Sequence, residues 1–464
     1  MRSQITEGPI WKPLLAFFFP ILLGTFFQQL YNTVDAVIVG NFVGTRALAA
    51  VGGSSALIIN FLINMFVGVA SGATVIIAQQ YGAKELTELR RTVHTAAALS
   101  LAAGAGITVL GIVLAEPALA LLGTPEDIME YSVTYLRVYF AGTLASFTYN
   151  VGSGILRAVG DSRRPLYFLI AACMVNIVLD LLFVVVLDLE VFGVAVATVL
   201  AQVAAAALVL AALTRPEAPY YLHFPEIRFH RDILKRVLMI GIPAGIQSDM
   251  YTISNMLIQS QINAFGTGVV AAWTAFGKMD GFYWMTCGAF GVAITTFVSQ
   301  NFGAKKYDRL RRSVKVCLAM TMGATIAISA LFCACGPWLL RMFTQDLDVL
   351  ALGQRIVWFI CPFYASFVCI EILSGTCRGT GDSLKPTLIT CGGVCALRVL
   401  WVILVLPCFY SVDTILVSYP VSWTITSLLF IVYYLRGNWL RRRIAKNGGE
   451  PEKSWPPPAD KAGA

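Results

Sequence analysis

Two aspartates stand inside stretches that are otherwise apolar enough to cross a bilayer. Asp35 lies in FFPILLGTFFQQLYNTVDAVIVGNFVG, residues 18–44, and Asp180 in VNIVLDLLFV, residues 175–184. Carrying a carboxylate into hydrocarbon is costly, so an ionisable side chain at that depth marks a functional site until shown otherwise. At about 1.5 Å per helical residue, Asp35 falls about 8 Å below the outer end of its span and Asp180 about 10 Å below the end of its own. Thr198 enters the following span to about the same level, and Asn176 sits one turn from Asp180 on the same face. These four oxygen-bearing side chains can therefore meet. Two carboxylates in one poorly solvated pocket cannot both stay ionised without a counter-charge; a proton or a hard cation such as Na⁺ must join them. The structural alternative is that they only bond across helices and hold the packing.

The elements that must position these groups follow from composition. The chain has 464 residues, 57% hydrophobic and 13% charged, with mean hydropathy +0.73. Soluble domains average about 25% charged, so this is an all-helical, multi-pass membrane protein. Apolar runs of about 20 residues recur about twelve times, among them residues 131–155 and 236–263. Lys and Arg gather on alternate connections, for example Lys84, Arg90 and Arg91, then Arg163 and Arg164, then Lys305 through Arg312. By the positive-inside bias both termini are cytoplasmic and the chain belongs in the cell membrane. The formal charge of +8 thus reports topology, and no nucleic-acid partner is expected. The first run reads as a retained span and not as a cleaved leader. Eleven cysteines lie mostly in apolar runs with three histidines in the whole chain, so no metal site is expected beyond a possible Na⁺ at Asp35, Asn176, Asp180 and Thr198.

A duplication organises these spans. YGAKELTELRR at 81–91 matches FGAKKYDRLRR at 302–312, and Arg157 with GDSRRP matches Arg378 with GDSLKP, each at an offset of 221; Gly44-Thr45 matches Gly266-Thr267 at 222. Segments holding one register argue for two copies of a unit. Six spans per unit give both copies one orientation, so the lobes should be related by a pseudo-two-fold along the membrane normal. The expected organisation is an N-terminal lobe at 1–213, a polar linker at 214–234, a C-terminal lobe at 235–436 and a disordered tail at 437–464.

The pattern of Pro20, Gln28 and Tyr31, VDAVIVGNFVGTRALAAVG, ILRAVGDSRRP and VNIVLDLLFV, echoed in the second half, resembles the MATE (multidrug and toxic compound extrusion) transporters. The similarity runs over about residues 11–436. It implies a cation site at Asp35, Asn176, Asp180 and Thr198, as in the archaeal-type and DNA-damage-inducible branch. The second half does not repeat these acids, since 35 plus 222 is Leu257 and 180 plus 221 is Trp401. Tyr251 stands where other branches place a glutamate, and Glu371 falls one turn past their acid.

The expected function is a secondary antiporter that exports amphipathic, cationic organic compounds in exchange for H⁺ or Na⁺, acting as a single chain without further cofactor. No phosphate-binding G-x-x-x-x-G-K-[ST] loop or catalytic grouping appears, so no enzymatic activity is expected. Gln28, Tyr31, Asn150, Asp249, Tyr251 and Tyr283 are the candidate substrate contacts. Asp249 and Arg398, both near mid-membrane, offer either a buried ion pair or a face for an organic cation. The aromatics Trp273, Phe276, Phe282, Tyr283 and Trp284 could stack on such a cation. A lipid-linked saccharide flippase is an alternative, but needs a strongly cationic cavity where the sequence offers only Arg398 at mid-membrane. A major-facilitator transporter is another, suggested by the GAK…RR corner, which lacks that family's acidic core.

Overall fold

A computed structural model describes residues 5–436 and 438–446, and every regular element among them is helical. In chain order the α-helices are α1 (Trp11–Ile38), α2 (Thr45–Gly52), α3 (Ser54–Ala83), α4 (Leu86–Leu121), α5 (Glu126–Ala141), α6 (Thr143–Ala158), α7 (Arg163–Asp180), α8 (Glu190–Leu213) and α9 (Arg231–Ala264). They continue as α10 (Thr267–Gly303), α11 (Tyr307–Arg341), α12 (Leu347–Ile360), α13 (Tyr364–Gly379), α14 (Leu384–Thr390), α15 (Leu397–Leu404), α16 (Val412–Arg436) and α17 (Trp439–Lys446). Among the described residues, ten segments are long and apolar enough to cross a membrane. The other two expected spans form as helices but fall outside those ten. One is broken between α5 and α6 at Gly142 into two helices of 16 residues. The other, α9, runs unbroken for 34 residues but carries Gln247, Ser248, Asp249, Thr252, Ser254 and Asn255, which dilute its hydropathy.

Two compact units divide the described chain: Ile5 with Leu15–Asp249, and Thr6–Leu14 with residues 250–446. The boundary falls inside α9 and not in the linker at 214–234. The cause is local: α3 and the first half of α9 meet backbone to backbone, where a Cβ on Gly68 would strike Gly245 and one on Gly72 would strike the main chain at Val237. Side chains would force these helices apart. Phe66, Ala70 and Ala73 of α3 share a core with Ile233, Val237 and Ile240 of α9 and with Phe147, Ile155 and Val209; Phe66 and Phe147 stack at 3.4 Å.

The duplication is written in the backbone. Positive φ occurs at Gly44 and Gly266, at Lys84 and Lys305, and at Gly160 and Gly381, the same pairs that hold register in sequence. Each ends or opens a helix at a tight turn, where glycine avoids the left-handed penalty and the two lysines bear it.

The linker lies on the first unit. The backbone N–H of His223 donates to His94 Nε2 at 3.1 Å, Thr95 Oγ1 meets His230 Nδ1 at 3.0 Å, and Arg91 faces Asp232 at 3.6 Å. All three histidines of the chain thus sit in one clasp. In the second unit, Lys306 Nζ donates to the Thr6 carbonyl at 2.9 Å and Arg309 to those of Glu7 and Gly8 at 3.0 and 2.7 Å. The expectation of a disordered tail fails over its first turns: α17 is helical, with Trp439, Leu440 and Ile444 buried because they supply an apolar stripe of their own. Residues 447–464 lie outside the described residues.

Candidate functional site

Three helices of the first unit bring the predicted acids together. Asp35 sits in the last turn of α1, one turn before a π-helical segment, Val39–Val43. Asp180 ends α7 and leads directly into a second, Leu181–Val186. Such wide turns rotate the following side chains and leave backbone carbonyls less committed, which is why they recur at functional sites. Thr198 comes from α8, which packs along α7.

The four side chains are nearly or wholly shut from solvent: Asp35 is 8% exposed, Thr198 2%, and Asn176 and Asp180 0%. Asp35 lies within interaction reach of Asp180, Thr198 and Asn176, and Asp180 within reach of Asn176. Yet six of their polar atoms, Asp35 Oδ1, both oxygens of Asp180, both amide atoms of Asn176 and Thr198 Oγ1, make no hydrogen bond. A buried polar atom without a partner costs about 1 to 3 kcal/mol, so six in one place concentrate a polarity that packing alone does not require. Its donor set, two carboxylates, an amide and a hydroxyl, suits a shared proton or a hard monovalent cation and lacks the nitrogen and sulfur ligands that soft metals take.

Asp35 also belongs to the wall of a cavity of about 590 Å³ in the same unit. Gln28, Tyr31 and Asn150, three of the predicted substrate contacts, line it. Tyr31 also reaches toward Thr198, so α1 carries a continuous polar face from the cavity to the buried cluster. Sequence reading missed much of the remaining wall: Asn60, Asn64, Tyr135, Tyr139 and Gln202. Asn60 with Asn64 and Tyr135 with Tyr139 are each four residues apart, a one-face polar pairing that the sequence does show.

The other three predicted contacts lie elsewhere. Asp249 is 6% exposed, with Oδ1 unpartnered, and is not part of that wall. No ion pair among the described residues includes it. Tyr251 is half-buried, near Glu371 and Arg398. Tyr283 is fully buried; its hydroxyl donates to the Tyr364 carbonyl at 3.0 Å and its ring stacks on Tyr364 at 3.8 Å. It packs the core of the second unit and is not part of the cavity wall that Gln28, Tyr31 and Asn150 line. The aromatic cluster also divides, with Phe282 turned outward at 52% exposure and Trp273 against Phe276 and Tyr419.

Arg398 is satisfied within the second unit and needs no carboxylate partner. It donates to Ser422 Oγ at 3.2 Å and Asn255 Oδ1 at 3.4 Å and lies over the ring of Tyr419 at 4.0 Å. Beside this group is an acid the sequence reading passed over, Asp280, which accepts from Trp284 Nε1 at 2.7 Å and from the Tyr364 hydroxyl.

Comparison with known proteins agrees with this architecture. The chain is 27% identical to the probable multidrug resistance protein YoeA of Bacillus subtilis, across 96% of this chain and 98% of the relative. It is 20% identical to the multidrug export protein MepA of Staphylococcus aureus, across 93% and 95%. A crystal structure of MATE in the bent conformation superposes with a TM-score of 0.87 at 21% identity, covering 96% of this chain and 98% of that one. The MatE family model matches twice, at residues 20–182 and 243–404, over the duplicated halves and well over half the chain. The chain belongs to the MatE family of multidrug and toxic compound extrusion transporters.

Proposed function

We propose that this transporter is a secondary antiporter that exports amphipathic, cationic organic compounds, driven by inward movement of H⁺ or Na⁺. The observation that carries this reading is the cluster of six unsatisfied buried polar atoms at Asp35, Asn176, Asp180 and Thr198, opening through Asp35 onto a cavity of about 590 Å³. A proton or Na⁺ entering there meets atoms that nothing else satisfies, so it binds the arrangement in which the four side chains converge better than one in which they part. That preference is the coupling, because a ligand shifts a conformational equilibrium only by its differential affinity. Asp35 belongs both to the cluster and to the cavity wall, so a cationic cargo and the coupling ion compete for one carboxylate. Loading the ion weakens the hold on the cargo and favours release.

The names of YoeA and MepA, a multidrug resistance and a multidrug export protein, support broad organic cargo. A pyrophosphate-carrying cargo fits less well, since the cavity wall holds one arginine, Arg157, and no lysine. The test is uptake of a fluorescent organic cation into inverted vesicles with Na⁺ and pH gradients imposed separately. One gradient alone should drive accumulation in the wild type and neither in Asp35→Asn; gradient-driven transport by that variant would remove the cluster from the mechanism.

A further inference from the structure

The corner between α3 and α4, YGAKELTELRR at 81–91, and its repeat between α10 and α11, FGAKKYDRLRR at 302–312, share a left-handed lysine and differ in charge. At the offset of 221, Lys306 stands for Glu85 and Arg309 for Glu88. The first corner sets Lys84, Arg90 and Arg91 against those two glutamates; the second sets Lys305, Lys306, Arg309, Arg311 and Arg312 against Asp308 alone. A positive-inside bias asks only for a basic excess, which the first corner already meets. The exchange also removes a partner. Arg91 pairs with Glu88 at 2.7 Å and faces Asp232 at 3.6 Å. Its counterpart Arg312 is exposed and, among the described residues, its side chain makes no ion pair and no hydrogen bond. The same holds for Lys305, and Asp308 faces Arg311 at 3.6 Å.

These cations surround one space. Lys305, Lys306, Arg309 and Arg312 line a cavity of about 560 Å³ that they share with the segment at 8–10, all of it in the second unit. Glu7, the other acid of this region, is not in its wall. Lys306 and Arg309 donate to the carbonyls of Thr6, Glu7 and Gly8, neutral acceptors that leave both charges uncompensated. The cavity lies where spans end, with α10 closing at Gly303, α11 opening at Tyr307 and α1 opening at Trp11. Trp11 is exposed, with Lys12 Nζ 5.4 Å from its ring centre, and an amphipathic ring at the start of a span marks the headgroup level of a bilayer. The opening turn of α11 adds N–H groups that have no acceptor within the helix, and no side chain caps them at Lys306.

We propose that this cavity binds a phosphate ester, and that the ester is the headgroup of an acidic phospholipid. Guanidinium forks, ammonium charges and the start of a helix are together the donor set that phosphate oxygens take. The level of the cavity, beside Trp11 at the mouth of a span, selects the lipid over a soluble ester. Lys306 and Arg309 also hold the segment that leads into α1, so a headgroup seated there adds its charge to the cations of that fastening. The site is separate from the Asp35 cluster and stands whether or not the export reading does.

Native mass spectrometry of the full chain in detergent, titrated with dimyristoyl phosphatidylglycerol or with the phosphatidylcholine of the same chains, reads the headgroup alone. The wild type should bind the first lipid molecule about tenfold tighter when it is phosphatidylglycerol, the scale of a few basic side chains acting on an anionic headgroup. Lys305→Asn with Arg312→Gln should erase most of that preference; asparagine tolerates the left-handed backbone at 305, and neither side chain has a partner to lose. Lys84→Asn with Arg90→Gln, which takes the same charge from the matching corner, should leave the preference in place. Arg312→Gln alone should give part of the loss, a check that does not depend on the double variant folding. A preference that survives in the second-half pair, or that falls equally in both pairs, would overturn the proposal by reducing the corner to general surface charge. Glycerol 1-phosphate separates the sources. It should displace phosphatidylglycerol only at concentrations far above the lipid's own; a wild type that binds it as tightly as the lipid, with no preference between the two lipids, would overturn the lipid assignment.

Discussion

The two halves descend from one pattern and have spent their polar residues differently. In the first, Asp35, Asn176, Asp180 and Thr198 converge with six atoms unsatisfied. At the matching positions the second half holds Leu257, Leu397, Trp401 and Tyr419. The second half nevertheless buries charge of its own. Arg398 lies between Ser422, Asn255 and the ring of Tyr419, and Asp280 accepts from Tyr364 and Trp284. The first half gathers two unsatisfied carboxylates in one cluster, whereas the second gives Arg398 and Asp280 partners of their own and leaves Asp249 Oδ1 unpartnered by itself. Buried polar groups that are satisfied hold a fold together, whereas those left unsatisfied persist where something must come and go.

Substitution separates the two kinds of acid. The largest effect is expected from Asp180→Asn. It should abolish gradient-driven export while leaving expression and the unfolding temperature at or above wild type, because a neutral amide removes the burden of a buried carboxylate. Loss of export with a parallel fall in thermal stability would break the distinction. Asp280→Leu should do the reverse, orphaning the Trp284 indole N–H and the Tyr364 hydroxyl. Each costs about 1 to 3 kcal/mol, so the unfolding temperature falls by several degrees while ion dependence keeps its midpoint. Scanning fluorimetry and a sodium and pH titration on the same preparation read both. A shifted ion midpoint in Asp280→Leu would give the second half a share of the coupling.

These acids were not equally legible in the sequence. Asp35 and Asp180 stand out because each interrupts an apolar run, and depth along a helix is arithmetic; that brought Asn176 and Thr198 into the group before any coordinates. Asp280 escaped notice because it opens a stretch already rich in Trp, Tyr and Phe, where its partners are themselves aromatic and one of them, Tyr364, comes from another helix. The π-helical turns after Asp35 and Asp180 have no sequence signal to read, since Leu, Val and Phe suit α and π turns alike. Tyr283 was legible as an aromatic beside Trp284, but its hydroxyl's bond to the Tyr364 carbonyl was not, because Tyr364 comes from a distant helix.

The smallest expected effect concerns how the segment leading into each half's first helix is fastened. Before α1, the carbonyls of Thr6, Glu7 and Gly8 are held by the ammonium of Lys306 and the guanidinium of Arg309. Before α9, the linker is held through imidazoles. The Thr95 hydroxyl donates to the Arg91 carbonyl at 2.9 Å, so it accepts from His230 Nδ1–H, and His230 Nε2 accepts from Arg228 at 3.3 Å. Both ring nitrogens are thus engaged as a neutral imidazole. Burial holds the His230 pKa below its ordinary value, with Arg91, Arg228 and His94 acting in the same sense and Asp232 against them. A lowered folded pKa means that the unfolded or released linker binds the proton first. The clasp is therefore at full strength above the ordinary imidazole range and loosens as pH falls through it. Cleavage within the linker by a broad-specificity protease active over the whole range should accelerate between pH about 7.5 and about 5.5 more than cleavage within Thr6–Gly8 does, and His230→Gln should flatten that difference. Equal acceleration at both sites would mean that the two fastenings are alike and that the imidazole is incidental to the clasp.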